Sequence, residues 1–331
     1  MSKVAITRCN TYQRDAIERA IDDVLEPFGG LAGAKGFGRQ IKTGDRVLLK
    51  PNFLRAAPAE AAVSPHPEVV RAVCSRLIDL GAKVKIGDSP AFGTAQGAAK
   101  ACGVLDIAAE FDIPVVEFNK AKKVSTSGPA GLTLQLDREV LDADAVINLC
   151  KFKGHQQLGL TLAVKNLFGC ITGKRKPVWH LRLGDRDNDF GEMLVEVYRT
   201  VAPTLSICDG VFAMEGNGPG RGEPRPLGLL LAAEDGVALD SVGAQIVGYP
   251  LEELRVIQAA RSLGVGMTDL EEIEILGSSS LEDFHVNDWK LPDSLPIFFN
   301  PARVAWSTAK QALLLARMKG EEQSVESTRK G

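Results

Sequence analysis

Three residues of types that move protons or act as nucleophiles fall within twenty-six positions of this chain: His155, Lys165 and His180. The window 145–184 around them carries seven Lys or Arg residues and no Asp or Glu, although the whole chain has a formal net charge of -3. A field of one sign concentrates ions of the opposite sign. We therefore expect this window to bind a small anionic ligand.

The central lysine of this window, Lys165, stands in the apolar stretch Thr161–Gly169. Apolar surroundings and neighbouring cations lower the pKa of a lysine, which makes its amine a base or a nucleophile. The alternative is that residues 160–168 form an amphipathic helix whose lysine reaches to solvent. We expect Lys165 to be catalytic.

The two histidines flank this lysine. His155 follows an apolar run at the start of a turn, and His180 follows the cationic stretch Lys174–Trp179. A histidine titrates near neutral pH, so it can transfer a proton or bind a metal ion. A packed histidine without chemistry is the alternative for His180. We expect both to act as acid or base, and both are candidate metal ligands.

Short apolar runs alternate with segments of helical periodicity. The predicted strands are Val4–Thr7, Val47–Lys50, Val84–Ile86, Ile113–Phe118, Ala145–Leu149, Leu205–Cys208 and Leu227–Ala233. The predicted helices are Tyr12–Leu25, Pro67–Leu80, Ala95–Ala101, Phe190–Val201, Val237–Val247 and Leu251–Ser262. This alternation predicts an α/β fold, a mostly parallel sheet with helices on both faces, with room for a smaller second lobe. We assign it to residues 1–299, and we expect 300–331 to form an amphipathic helix, Asn300–Lys319, and a frayed tail.

In such a sheet, ligands bind beyond the carboxyl ends of the strands. Polar residues follow several predicted strands, so we expect one shared site there. Its predicted binding residues are Lys50, Asn52, Asp88, Ser89, Lys151, Lys153, Asn166, Arg175, Asp209 and Glu215. The lysines and Arg175 would hold anionic groups, and Asp88 or Asp209 would orient a histidine or the ligand. Ser89 has an equal alternative as a helix cap. The glycine-rich stretch Ala213–Pro226 is expected to be a loop.

Composition narrows the classes of function. The 39 basic and 42 acidic residues are balanced and the isoelectric point is near 5.9, which argues against a nucleic-acid partner. The longest apolar run, Leu227–Ala233, is far shorter than a membrane span of about 20 residues. The first residues are typical of a strand rather than a signal peptide, so we expect a cytoplasmic protein. The six cysteines include no Cys-x-x-Cys pair.

The order of these motifs resembles the domain of unknown function 362 family, whose members occur alone or joined to ferredoxin-like iron-sulfur modules. The resemblance runs from Val47 to Gly266 and rests on Leu49–Asn52, Gly87–Ser89, Ile147–His155, Thr161–Gly169, His180, Asp209–Gly210, Glu215–Pro219 and Asp235–Asp240. The family more often has Thr where Gly154 stands. This chain lacks the clustered cysteines of the fused members, so we expect no ferredoxin-type cluster in it. The resemblance leaves a separate iron-sulfur or redox protein open as a partner.

The spacing of His155, Lys165 and His180 is also similar to the catalytic segment of the lactate racemase family. In that family a lysine tethers a nickel-pincer nucleotide, and histidines ligate nickel or exchange protons. The resemblance implies that Lys165 is the tethering candidate and that the histidines are acid/base or nickel-ligand candidates. We therefore expect an enzyme of isomerase or oxidoreductase type that transfers a proton or hydride on a small carboxylate. The alternative is a non-catalytic binding or assembly protein in iron-sulfur, redox or metal-cofactor metabolism.

Overall fold

The structure, a computed structural model, describes residues 1–126, 128, 131–172, 175–184, 187–277 and 280–297. Its strands are β1 (Ser2–Arg8), β2 (Arg46–Pro51), β3 (Lys83–Asp88), β4 (Val115–Glu117), β5 (Ala121–Ser125), β6 (Thr133–Asp137), β7 (Ala145–His155), β8 (Gly159–Thr161), β9 (Leu205–Glu215), β10 (Glu223–Ala233) and β11 (Ile273–Leu276). Its α-helices are α1 (Arg14–Leu25), α2 (Gly30–Gly33), α3 (Pro67–Asp79), α4 (Ala95–Ala101), α5 (Val104–Glu110), α6 (Arg138–Leu141), α7 (Ala163–Asn166), α8 (Arg175–Leu183), α9 (Asp189–Val201), α10 (Gly236–Ile246) and α11 (Arg255–Leu263). Short 3-10 turns include Leu167–Cys170, directly after α7.

The main sheet has the strand order β11-β1-β10-β9-β7-β2-β3-β4, and β8 pairs with β7. The pairs β9/β7, β7/β2, β2/β3, β3/β4 and β1/β11 are parallel, whereas β10 runs antiparallel to both of its neighbours. A second, two-stranded antiparallel sheet is formed by β5 and β6. The predicted α/β fold with a mostly parallel sheet is confirmed.

Side chains of the central strands alternate between two apolar cores, as the period of two in a strand requires. In β2, Val47 and Leu49 enter the core shared with α1, α3, α4 and α5, whereas Leu48 enters the core shared with α9, α10 and α11. Both faces of the sheet are therefore covered by helices, as predicted. This burial on both faces explains why these strands are continuous apolar runs in the sequence.

Two strands extend well beyond their predicted ends. Strands β7 and β9 each have eleven residues, because the polar residues after their apolar halves continue the hydrogen-bonded ladder. Strand β10 pairs with β9 as far as Glu223 opposite Glu215, so much of the predicted loop Ala213–Pro226 is a β-hairpin. The sequence pattern did not predict this hairpin, because it contains glycines and prolines and both residue types are depleted in strands.

No helix in the described part of the chain is long and apolar enough to cross a lipid bilayer. The predicted C-terminal helix Asn300–Lys319 and the tail after it lie outside the described residues. The boundary between residues 299 and 300 stays a prediction for the same reason.

Candidate functional site

The carboxyl ends of the parallel strands meet at one edge of the sheet and carry two buried ion pairs. Lys50 on β2 pairs with Asp88 on β3, and Lys151 on β7 pairs with Asp209 on β9, each with a nitrogen to oxygen distance of 2.8 Å. None of the four side chains is more than 2% exposed. The structure therefore brings these four predicted residues to one edge, but it gives both lysines an internal counter-ion.

The pair of Lys50 and Asp88 is held by the backbone around it. Asp88 accepts hydrogen bonds from the backbone N–H groups of Phe53 and Ser89, each at 2.7 Å. The 3-10 turn after α7 passes over the pair at Gly169. A Cβ atom at Gly169 would overlap an Asp88 carboxylate oxygen and would lie 2.6 Å from the Lys50 ammonium nitrogen. Glycine is needed there because the ion pair fills the space that a side chain would occupy.

The second pair is part of a network that includes Tyr12. The Tyr12 hydroxyl donates to Asp209 at 2.9 Å and accepts from Lys151 at 2.8 Å. Asp209 also accepts from the backbone N–H of His66, whose ring stacks on Tyr12 with 3.7 Å between centroids. Burial and the Asp209 charge raise the pKa of Tyr12, so its hydroxyl stays protonated. Tyr12 and His66 were not predicted from the sequence, because neither lies in a motif near its partners.

Three asparagines connect the strand ends to the segment that carries Lys165. The Asn166 side-chain oxygen accepts from Asn52 at 2.8 Å and from Lys50 at 3.1 Å, and its amide donates to Asn148 at 2.8 Å. Asn148 in turn donates to the backbone carbonyl of Ala163 at 3.0 Å. The predicted ligand-binding residues Asn52 and Asn166 are thus brought together, but much of their hydrogen-bonding capacity is used within the protein.

Lys153 is buried without a carboxylate partner among the described residues. Its ammonium donates to the Asn52 side-chain oxygen and, at 2.8 Å, to the carbonyl of Val63. Burial, together with the charges of Lys151, Lys165 and Lys50, lowers the pKa of Lys153 from 10.5 to about 7.

Lys165 lies on the short helix α7. The backbone N–H groups of Ala163 and Val164 donate to the two oxygens of Asp240, at 2.7 and 3.2 Å, and this fixes the start of the helix. The Lys165 ammonium sits 4.1 Å from the centre of the Phe168 ring. Its pKa falls from 10.5 to about 7 because of burial and the charges of Lys176 and Lys50. The expectation of a lysine whose pKa is lowered by its surroundings thus has a structural cause.

The Nδ1 atoms of His155 and His180 have opposite hydrogen-bonding roles. The Nδ1 atom of His155 accepts from the backbone N–H of Gln157 at 3.1 Å, so the neutral ring carries its proton on Nε2. The Nδ1 atom of His180 lies 3.3 Å from the carbonyl oxygen of Ile297, which can only accept, so we assign the proton of this ring to Nδ1.

Both histidine rings are neutral at physiological pH. Burial and the Lys165 charge lower the pKa of His180 to about 3. Burial, Lys165 and then His180 lower the pKa of His155 well below its usual value. His180 also packs edge-on against Phe168, the ring beneath Lys165, with 5.8 Å between centroids. The three predicted catalytic residues therefore share one cationic region, in which both histidines are buried and Lys165 is partly exposed.

A cavity of about 70 Å³ opens beside His155. Its polar lining includes Gln156, Gln157, Tyr249, Glu253 and Arg255. The cavity has space for a few water molecules next to the His155 side chain.

The remaining predicted binding residues are Ser89, Arg175 and Glu215, and the structure does not place them as a group around Lys165. The Ser89 carbonyl accepts a hydrogen bond from Lys176, a buried lysine on α8. The sequence pattern predicted its neighbour Arg175 as a binding residue, but not Lys176. Burial lowers the pKa of Lys176 from 10.5 to about 8. Arg175 begins α8, and its side chain lies outside what the structure describes. Glu215 pairs with Arg225 at 3.2 Å in the β9–β10 hairpin, rather than with a lysine of the site.

Residues 47–245 match the family described as Domain of unknown function (DUF362). A thylakoid-associated protein of Synechocystis sp. is 42% identical over 311 residues, which cover 94% of each chain. The structure of the lactate racemase apoprotein from Thermoanaerobacterium thermosaccharolyticum gives a TM-score of 0.43 at 12% identity, over 72% of this chain. The present chain covers 56% of that racemase chain.

Proposed function

This chain belongs to the DUF362 family, and we propose that it is an enzyme that binds a small carboxylate and transfers a proton at the carbon next to it. The observation that carries this proposal is the combination of an amine with a pKa of about 7, that of Lys165, with two buried neutral imidazoles, those of His155 and His180, in one cationic region. General bases work best when their pKa lies near the working pH, and Lys165 meets this condition before the substrate binds.

The assigned tautomers suggest a division of roles. His180, protonated at Nδ1, has its lone pair on Nε2. Its pKa of about 3 makes it a weak base before the substrate binds, so it would take a proton from the substrate carbon only after the bound carboxylate has raised that pKa. His155, protonated at Nε2, would deliver a proton to the carbon. An isomerase needs such a base and such an acid in one site. The bound carboxylate would raise the pKa values of Lys153 and Lys165, so these lysines would become cationic when the substrate arrives and would stabilise the negative charge that develops.

The resemblance to the lactate racemase segment implies a nickel-pincer nucleotide, and the donor set can be compared with that group. Among the described residues, no three His, Cys, Asp or Glu side chains are placed to hold a metal ion. A cofactor that supplies most of its own metal ligands needs only an amine for attachment and an imidazole, and Lys165 with His155 or His180 provides these. When bound, such a cofactor supplies the capacity to accept and return hydride. Intact-mass spectrometry and elemental analysis of protein from its native host test this, because an adduct would map to Lys165.

The proposed proton transfer is tested by hydrogen exchange. The purified chain is incubated in deuterated water with a panel of 2-hydroxy and 2-amino carboxylates, and NMR follows loss of the C–H signal next to the carboxylate. We expect exchange on at least one compound, and a loss of about 10²–10⁴-fold in the variants His155→Asn and His180→Asn. Lys165→Ala should abolish turnover while the fold is retained, as judged by circular dichroism.

The matched control for the histidine variants is His285→Asn, because His285 is exposed and its Nδ1 lies 3.1 Å from the Gln245 carbonyl, outside the site. This control should exchange at the native rate. Normal turnover by the Lys165→Ala variant would overturn the assignment of the site.

A non-catalytic role in binding or assembly is the second candidate. It is favoured by the name of the 42% identical relative, which refers to association with the thylakoid and not to a reaction. In this case the cationic edge would bind an anionic group without converting it, and the partner would be a separate iron-sulfur or redox protein. A thermal-shift panel separates the candidates: stabilisation by small carboxylates supports the enzyme, and stabilisation only by a protein partner supports assembly. Cell fractionation of the host decides between our expected cytoplasmic location and association with a membrane surface.

A further inference from the structure

We propose that the ligand of this site carries a second anionic group besides its carboxylate, and that Lys153, Lys165 and Lys176 together bind the two negative groups. This inference rests on the proposed function only for the location of the ligand. It adds the charge of the ligand, which neither the family nor the relatives specify.

The charges at the site do not balance. Five lysines meet at this edge of the sheet, but only Lys50 and Lys151 have ion-paired carboxylates within the described ranges. Glu117, a further acid close to Lys176, accepts a hydrogen bond from the backbone N–H of Ala95 and forms no ion pair with Lys176 there. Three lysine side chains thus remain without a counter-ion in the part of the chain that the structure describes: Lys153 and Lys176, which are buried, and Lys165, which is partly exposed. Buried charges are normally paired, so the excess at Lys153 and Lys176 is a feature that a ligand of matching charge would satisfy.

The three lysines also have hydrogen-bond donors to spare. An ammonium group has three N–H donors. In the described structure Lys153 uses two of them, Lys176 donates to the Ser89 carbonyl, and Lys165 contacts the face of the Phe168 ring. All of these partners are neutral. Donors therefore remain on each of the three lysines, and an anion with several oxygens would supply acceptors for them.

The three lysines lie near one another although they belong to β7, α7 and α8. Lys153 donates to Asn52, Asn52 donates to Asn166, and Asn166 is the residue next to Lys165. Lys176 donates to Ser89, which follows Asp88, the partner of Lys50. The charge of Lys165 lowers the pKa of Lys153, and the charge of Lys176 lowers that of Lys165. A single ligand with two anionic groups can therefore interact with the whole set.

Three probes test the charge of the ligand by isothermal titration calorimetry: glycolate with one carboxylate, malonate with two, and phosphoglycolate with a carboxylate and a phosphate. We expect malonate or phosphoglycolate to bind at least about tenfold more tightly than glycolate. A preference for phosphoglycolate identifies the second group as a phosphate, and a preference for malonate identifies it as a carboxylate.

The variant Lys176→Met should lose the preference for the dianion while glycolate binding changes by less than threefold, about 0.7 kcal/mol or less. Lys153→Met should weaken the binding of all three probes, because Lys153 also interacts with the carboxylate in the proposed function. The control Lys122→Met removes an exposed lysine on β5 and should keep the native preference. Equal affinities for the three probes would overturn the inference. If the three affinities are equal and glycolate still turns over, the proposed function stands without a second anionic group. If the native chain binds none of the probes, both the proposed function and this inference fail.

Discussion

Removing the carboxylate of Asp88 should leave the Lys50 ammonium buried without a counter-ion. The two side chains are 0% and 2% exposed and their charged atoms are 2.8 Å apart. In the variant Asp88→Asn the single amide oxygen cannot replace both carboxylate oxygens, which together accept from Lys50, Phe53 and Ser89. Breaking one partner of a buried ion pair typically costs about 3–5 kcal/mol. That is a large part of a typical stability of about 5–15 kcal/mol.

The assay is urea denaturation followed by circular dichroism, from which the free energy of unfolding is obtained. The double variant Asp88→Asn with Lys50→Met removes the unpaired charge, so it should be more stable than Asp88→Asn alone. The exposed pair of Arg46 and Asp144 has the same 2.8 Å separation but side chains 61% and 40% exposed, and it provides the control. We expect Asp144→Asn to lose much less stability than Asp88→Asn. A loss below about 1 kcal/mol for Asp88→Asn, or equal losses for the two single variants, would refute the reasoning.

Three further predictions concern the same edge of the sheet. Gly169→Ala should lower the unfolding midpoint in urea, because its Cβ would overlap Asp88; a midpoint equal to the native one would show that the turn can shift at little cost. Between pH 7 and pH 10 the unfolded chain binds more protons at Lys153 than the folded chain does, so the free energy of unfolding should rise with pH. Lys153→Met should remove up to about 1.4 kcal/mol per pH unit of that slope. An unchanged slope in this variant would contradict the low pKa of Lys153. Tyr12→Phe removes the hydroxyl that donates to Asp209 and should cost about 1–3 kcal/mol in the free energy of unfolding, whereas a neutral effect would mean that water replaces it.

The sequence was sufficient to predict most central elements, because their residues carry their own local signals. Helix α4 has the predicted bounds Ala95–Ala101, and α3 ends one residue before its predicted end, at Asp79. Pro67 at the first position of α3 and Thr94, which caps α4, are typical start signals. The long strands β7 and β9 were predicted only as far as their apolar runs. Their polar halves depend on hydrogen bonds to neighbouring strands, which a local pattern does not contain.

For the site, the sequence by itself determined which residue types lie at the strand ends and that an unbalanced set of cations lies between residues 145 and 184. Only the tertiary structure decided how those charges are paired. The counter-ion of Lys50 comes from Asp88 and that of Lys151 from Asp209, residues 38 and 58 positions away, and the support of α7 comes from Asp240. Coulomb energy and desolvation depend on distance and burial in space, so chain separation does not reveal them. The same physics distinguishes Lys153 and Lys176. That neither has a counter-ion among the described residues becomes visible only when the carboxylates around them have been assigned to other partners.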